Sequence, residues 1–158
     1  MKRKLDSILG SILVGLLALM VLAVLWQVFS RYILDAPSSF TEELARFLLI
    51  WIGTLGAAYA SGQKQHLAIT ILPDRLSDTG RDKLQLVLNV LIIFFSVTVF
   101  GIGGSRLVYI TTILGQSSAS LGIPMALIYA VLPLSGVLII LYKTLEIIHP
   151  NNTQAYGS

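Results

Sequence analysis

The chain contains no cysteine and few charged residues, and both absences limit what it can be. Without cysteine, disulfide bonds and thiolate metal sites are excluded. Charged residues make up 12% of the 158 residues, about half of the roughly 25% that is usual in globular domains. Two histidines are too few to favour a metal site or haem ligation between helices. The net charge of +3 gives no indication of nucleic-acid binding.

The few charges leave long apolar windows between them. These windows run from Asp6 to Arg31, from Arg46 to Lys64, from Lys83 to Arg106, and from Arg106 to Lys143. Each can supply the ~20 residues that a helix needs to cross the roughly 30 Å hydrocarbon layer. Apart from the polar segment "GQSSASLGIP" in the last window, they are apolar on all sides rather than alternating, which argues against a β-barrel. We therefore predict an all-α integral membrane protein whose four transmembrane helices cover about residues 7–30, 40–62, 79–113 and 124–148.

Lysine and arginine are distributed unevenly between the two ends of these helices. Three lie on one side, at Arg31, Arg46 and Arg106, and eight lie on the other, at Lys2, Arg3, Lys4, Lys64, Arg75, Arg81, Lys83 and Lys143. Because cytoplasmic loops hold the excess of basic residues, both termini are predicted to be cytoplasmic.

The chain is expected to form one membrane domain over residues 1–150, followed by a disordered tail at 151–158. The loop between the second and third helices carries apolar residues such as Leu67, Ile69 and Leu76. This apolar surface predicts that the loop contains a segment lying along the membrane interface.

The second helix carries small residues at a spacing of four. Gly53 and Ala57 form one such pair, and Gly56 and Ala60 form another. Residues four apart share a helix face, and small side chains let another helix approach closely. The spacing leaves two interpretations open, which are packing within the four-helix unit and docking of a separate subunit.

The segment "FTEELARFLLIW" places charged side chains at the start of an apolar helix. Glu42 precedes Arg46 by four residues, in the favourable order for an ion pair, and Glu43 precedes it by three. Arg46 lies only ~10 Å inside the helix start and can extend its side chain to the interface. The three residues therefore form either a self-neutralised helix start or an external site for a partner protein, since ionisable groups at membrane depth are functional candidates.

The sequence contains no arrangement of residues typical of an enzyme or a stand-alone transporter. There is no nucleophile–base pair, phosphate-binding loop or pair of intramembrane carboxylates. A small exporter of the multidrug-resistance type is the leading alternative, but the first helix lacks the carboxylate that such exporters use for proton exchange. A redox membrane subunit would need paired intramembrane histidines, whereas His66 follows the second helix, where interfacial hydrogen bonding is expected. The chain is not expected to catalyse a reaction or to transport alone.

The segment from Arg31 to Ile69 resembles the small membrane subunit of tripartite ATP-independent periplasmic (TRAP) transporters, the DctQ-like family. Residues that carry the resemblance are Arg31, Tyr32, Glu42, Glu43, Leu44, Arg46, Trp51, Leu55, Gly56, Ala57 and His66. The later "SSASLGIPMALIYAVLPLSG" is similar to the fourth-helix region of that family. The sequence departs from the family pattern at Phe40, where tryptophan is frequent, and at Thr70, where an acid is frequent.

The resemblance implies a scaffold subunit in the bacterial inner membrane. Its partners would be the lipid bilayer, a large permease subunit and a periplasmic solute-binding protein that delivers an organic acid, of the sialic-acid or C4-dicarboxylate class. The large subunit would bind the coupling sodium ions, so this chain would need no cofactor, metal or substrate site of its own. The expected interface with the partner comprises Arg31, Tyr32, Glu42, Glu43, Arg46, Trp51, Gly53, Gly56, Ala57 and His66.

Overall fold

The computed structural model describes residues 2–63 and 78–148. Four spans in this part of the chain are long and apolar enough to cross a membrane: Leu5–Tyr32, Ser39–Gly62, Lys83–Ile113 and Met125–Ile148. The described residues form helices and no β-strand, so the prediction of an all-α membrane protein with four transmembrane helices is confirmed. The predicted interfacial segment, His66 and the tail 151–158 lie outside the described residues.

The first two spans are continuous α-helices joined by a short turn. Helix α1 covers Lys2–Tyr32, so it begins upstream of the expected start near Ser7. Lysine, arginine and leucine all favour helix, and residues 2–6 contain no glycine or proline. Helix α2 covers Ser39–Gly62. The Ser38 hydroxyl caps it by accepting a hydrogen bond from the Thr41 N–H at 3.5 Å, as serine does at many helix starts.

The third span is not a uniform α-helix. It consists of α3 (Asp78–Phe95), a π-helical segment (Ser96–Gly103) and α4 (Gly104–Ile113). The sequence had indicated one helix over 79–113, because apolar composition does not distinguish the wider π-helical turn from the α-helical one. The Ser96 hydroxyl in this segment donates a buried hydrogen bond to the Gly136 carbonyl of the fourth span at 3.2 Å. The π-helical segment therefore lies where the third and fourth spans contact each other. Such segments often occur at functional positions.

The fourth span is interrupted near its start. Helix α5 covers Met125–Tyr129 and helix α6 covers Val131–Ile148. Pro133 has no N–H to donate to the Tyr129 carbonyl, and its ring opposes a regular helical turn there. The interruption at Ala130 falls in this turn, so the bend has an identifiable cause.

The four spans lie side by side in the order first, second, fourth, third. Helix α1 packs mainly on α2, α2 packs on α6, and α6 packs on the π-helical segment. A buried cluster joins the first, second and fourth spans; it consists of Leu9, Leu55, Val131 and Tyr142. Most other large apolar side chains point away from the bundle, which is the arrangement expected where lipid is the surrounding solvent.

Small residues bring the spans into close contact at Gly62, Gly104 and Gly136. A Cβ atom added at Gly62 would lie 2.5 Å from the Tyr142 ring. A Cβ atom added at Gly136 would lie 2.8 Å from the Phe100 Cβ. Backbone approach at these positions therefore depends on the absence of a side chain.

Polar contacts define two ends of the bundle. At one end, which we call the Asp6 end, the Tyr142 hydroxyl donates to an Asp6 carboxylate oxygen at 2.6 Å. The Gln85 amide at the same end donates to Glu146 at 2.8 Å. At the other end, which we call the Glu43 end, Glu43 near the start of α2 binds the loop at 114–124.

Candidate functional site

The predicted site residues on α2 separate into two groups according to the direction of their side chains. Glu43 and Trp51 contact other parts of this chain. The other group lies on what we call the outward face of α2, whose exposed members are Glu42, Arg46, Leu49, Gly53, Ala57 and Ala60. Their spacing of three and four residues places them in one stripe along the helix.

Glu43 holds the loop that precedes the fourth span. Its two carboxylate oxygens accept hydrogen bonds from three successive backbone N–H groups, those of Ala119 at 3.1 Å, Ser120 at 2.8 Å and Leu121 at 3.2 Å. The Leu121 N–H also donates to the Ser118 hydroxyl at 3.1 Å. A carboxylate that accepts several backbone N–H bonds fixes the position of the segment that donates them. Glu43 thus connects the start of the second span with the loop between the third and fourth spans.

Replacing Glu43 with alanine should loosen this loop without unfolding the helices. The three N–H groups lose their shared acceptor, so we expect faster amide hydrogen exchange in a peptide covering 117–123. Glu43→Gln keeps one carbonyl oxygen and should show an intermediate rate. Hydrogen-exchange mass spectrometry of the purified chain measures this, with Glu42→Ala as the matched control. Equal exchange in the Glu43 and Glu42 variants would show that the carboxylate does not hold the loop.

Trp51 connects the second span with the interrupted part of the fourth. Its indole N–H donates to the Ile128 carbonyl at 3.1 Å. Ile128 belongs to α5, immediately before the interruption at Ala130. The hydrogen bond therefore satisfies a carbonyl beside a turn where the helical pattern is broken. This contact lies within the chain, although the sequence had placed Trp51 among the residues expected to face a partner.

Glu42 and Arg46 form an ion pair on the outward face of α2. An Arg46 guanidinium nitrogen lies 3.1 Å from a Glu42 carboxylate oxygen, and the two side chains are 65% and 58% exposed. Such an exposed pair stabilises a helix in water by only about 0.3–0.5 kcal/mol. The pair neutralises both charges near the membrane boundary and remains accessible to other groups. Its geometry agrees with the four-residue spacing read from the sequence.

The small residues on the outward face of α2 leave open space beside the helix. A Cβ atom added at Gly53 or at Gly56 would have no neighbour within 4 Å in the described structure, and Ala57 is exposed. Glycine in a helix interior costs about 1 kcal/mol relative to alanine. Packing among residues 2–63 and 78–148 does not account for that cost at Gly53 or Gly56, whereas the buried Gly62 contacts Tyr142.

The remaining predicted residues lie at or beyond the ends of the spans. Arg31 and Tyr32 form the last turn of α1 at the Glu43 end, where the guanidinium carbon lies 5.8 Å from the centre of the Tyr32 ring. Tyr32 is 73% exposed. His66 belongs to the part of the chain that the structure does not describe.

Two features of this end were not anticipated from the sequence. One is the set of loop N–H groups that Glu43 binds, in a loop bounded by Gly115 and Gly122, both with positive φ. Those glycines, in a polar segment between apolar helices, indicated a tight turn but not its contact. The other is a cavity beside α1 that Gln27 lines. The available signal was that Gln27 is the one strongly polar residue between Asp6 and Arg31.

These observations define a multi-pass membrane protein in which the described residues leave one face of the second span uncovered. Residues 20–150 match the family described as "Tripartite ATP-independent periplasmic transporters, DctQ component". The chain belongs to this family, and it is a transporter subunit rather than an enzyme. The family match supports the TRAP interpretation over that of a small multidrug exporter.

Three relatives show how far the similarity extends. A TRAP transporter small permease protein of Haemophilus influenzae is 29% identical over 126 residues, which cover 80% of this chain and 76% of the relative. The sialic acid TRAP transporter small permease protein SiaQ of Vibrio cholerae is 31% identical over 59% of this chain and 54% of its own length. The ectoine TRAP transporter small permease protein TeaB of Halomonas elongata is 30% identical over 83% of this chain and 66% of its own length.

Proposed function

We propose that the chain is the scaffold subunit that holds a large TRAP permease subunit in the inner membrane through the outward face of α2. Sodium-coupled uptake of an organic acid, of the sialic-acid or C4-dicarboxylate class, would then be carried out by the large subunit. A periplasmic binding protein would deliver the solute. In this arrangement the large subunit binds the sodium ions and the substrate, and this chain supplies the surface that anchors it.

The observation that supports the proposal most strongly is the open space on the outward face of α2. Gly53 and Gly56 leave open space beside the helix, and a second helix can approach such a surface closely because no side chain intervenes. The Glu42–Arg46 pair at the Glu43 end of this face offers charge-assisted hydrogen bonds to a partner. The face thus combines close packing in the apolar layer with polar contacts near its boundary.

A longer relative supports a direct association between small and large subunits. The sialic acid TRAP transporter permease protein SiaT of Haemophilus influenzae is 29% identical to this chain over 73 residues, which amount to 12% of that permease. A segment similar to this chain therefore occurs within a much longer permease polypeptide. A covalent link between two subunits is readily explained if they function side by side.

The charge distribution supports an orientation in which the Glu43 end faces the periplasm. The contact between Glu43 and the loop residues 119–121 places both loops of that end together, and these loops lie on the side that is poor in lysine and arginine. Both termini would then be cytoplasmic, and the Glu43 end would face the binding protein. A membrane-impermeant reagent added from the periplasm should label Ser120→Cys, because Ser120 is exposed in this loop. Absence of labelling at this position in intact cells, with labelling after the membrane is permeabilised, would contradict this orientation.

Uptake should require both membrane subunits. In proteoliposomes with an inward sodium gradient and the cognate binding protein, we expect solute uptake only when this chain and the large subunit are both present. Replacing the sodium gradient with a potassium gradient should abolish it. Sialic acid and a C4-dicarboxylate are tested separately with their own binding proteins. Uptake by this chain alone, or full uptake by the large subunit alone, would contradict the scaffold proposal.

A further inference from the structure

A cavity opens between the first two spans at the Glu43 end. Its volume is about 260 Å³, and it is lined by Gln27, Arg31, Pro37, Ser38 and Glu42. Arg31 lies in the last turn of α1 and Glu42 in the first turn of α2. The cavity is therefore located where both helices leave the apolar layer, at the depth of lipid head groups.

The groups that line this cavity leave two hydrogen-bond donors available. Glu42 is already paired with Arg46, so its carboxylate is neutralised. Among the described residues, no carboxylate forms an ion pair with Arg31, and its guanidinium carbon lies 5.8 Å from the centre of the Tyr32 ring. The side-chain amide of Gln27 likewise has no hydrogen-bond partner in the part of the chain that the structure describes. A cavity with a free guanidinium and a free amide favours an anionic, oxygen-rich ligand.

We propose that this cavity binds the phosphate group of a phospholipid from the adjoining leaflet, with Arg31 and Gln27 as donors. A planar guanidinium can donate two parallel hydrogen bonds to phosphate oxygens, which makes arginine well suited to this ligand. Gln27 lies four residues before Arg31, so both side chains project from the same face of α1. The site thus has the charge, the donors and the depth that a lipid head group requires.

The surface below the cavity favours a lipid over a soluble phosphate. Val28, Val24 and Leu17 lie three, seven and fourteen residues before Arg31 and form an exposed apolar track along α1. Their side chains are 50%, 41% and 48% exposed. Acyl chains that extend from a phosphate at Arg31 would lie along this track. A free phosphate ion would leave it uncovered and would gain nothing from it.

The test uses the purified chain alone, so its outcome does not depend on the proposed large-subunit interface. Native mass spectrometry in a neutral maltoside detergent measures the binding of phosphatidylglycerol and of diacylglycerol with the same acyl chains. We expect one phosphatidylglycerol to be retained in preference to diacylglycerol. Arg31→Gln should weaken that binding about tenfold, since one charge-assisted contact is lost. Gln27→Leu should weaken it less while keeping the helix apolar.

Arg106→Gln is the matched control, because Arg106 is an exposed arginine of α4 outside the cavity. It should retain phosphatidylglycerol like the unmodified chain, and circular dichroism should show the same helix content in all variants. Equal lipid retention in the Arg31 and Arg106 variants would overturn the proposal. Competition by inorganic phosphate at the concentration of the lipid would also overturn it, because the site would then bind a free ion.

Discussion

Replacing Gly53 with leucine should release the large permease subunit from this chain. Gly53 has no neighbour within 4 Å of an added Cβ atom, so the isolated chain should accommodate the new side chain and fold normally. A partner helix packed against the glycine would be displaced, at a cost of about 1–3 kcal/mol for overpacking. We expect about tenfold less large subunit to co-purify with the variant, and uptake to fall with it.

The matched control for this experiment is Gly15→Leu. Gly15 lies on α1, and an added Cβ atom there also has no neighbour within 4 Å. Both variants add the same side chain at an open helical glycine, so effects on membrane insertion are equal. Only the Gly53 variant should lose the large subunit. Equal co-purification by both variants would show that the outward face of α2 is not the interface.

Replacing Gly136 with valine should destabilise the bundle itself. An added Cβ atom lies 2.8 Å from the Phe100 Cβ and 3.5 Å from the Gly101 nitrogen. Phe100 and Gly101 both belong to the π-helical segment, and neither atom can rotate away as the end of a side chain could. The contact is therefore relieved only if the third and fourth spans separate. Separation would also break the hydrogen bond from Ser96 to the Gly136 carbonyl. We expect a loss of about 1–3 kcal/mol or more.

This effect is measured by heating the purified chain in detergent and recording the loss of soluble monomer as the temperature rises. The control is Gly15→Val, which adds the same β-branched side chain to an open helical position. The Gly136 variant should denature at a distinctly lower temperature than the control. Similar denaturation temperatures would indicate that the third and fourth spans are not packed as closely as this contact requires.

The features of the fold that depend on local composition could be predicted from the sequence. The four spans follow from the spacing of the charges, and the Glu42–Arg46 pair follows from the four-residue period of a helix. Both are properties of one segment at a time. The Ser38 cap belongs to the same class, since its hydroxyl binds an N–H three residues away.

The features that join distant segments could not be predicted in this way. Glu43 was grouped with Arg46 because they are three residues apart, yet its carboxylate binds N–H groups more than 70 residues later in the chain. Trp51 likewise donates to a carbonyl 77 residues away. Local spacing predicts neither contact. Helix periodicity indicates which residues share a helix face, but not which distant segment packs against that face.

The two interpretations of the small residues were separated by the packing. Spacing alone did not distinguish contact within the chain from contact with another subunit. In the structure, Gly62 lies against Tyr142, whereas Gly53 and Gly56 have open space beside them. The same residue type thus takes part in internal packing at one position and leaves an open surface at the other two. That contrast is the physical basis of the proposed interface.

Site-specific photo-crosslinking from α2 tests that interface most directly. A photoreactive phenylalanine at Leu49, a large residue on the outward face of α2 that is 60% exposed, is compared with one at Val14 of α1, which is 69% exposed. Because Leu49 is already large, the new side chain does not overpack the small-residue part of this face. In membranes that contain both subunits, we expect irradiation at Leu49 to yield a product with the combined mass of this chain and the large subunit. Val14 should yield little or none. A product from Val14 with none from Leu49 would contradict the proposed interface.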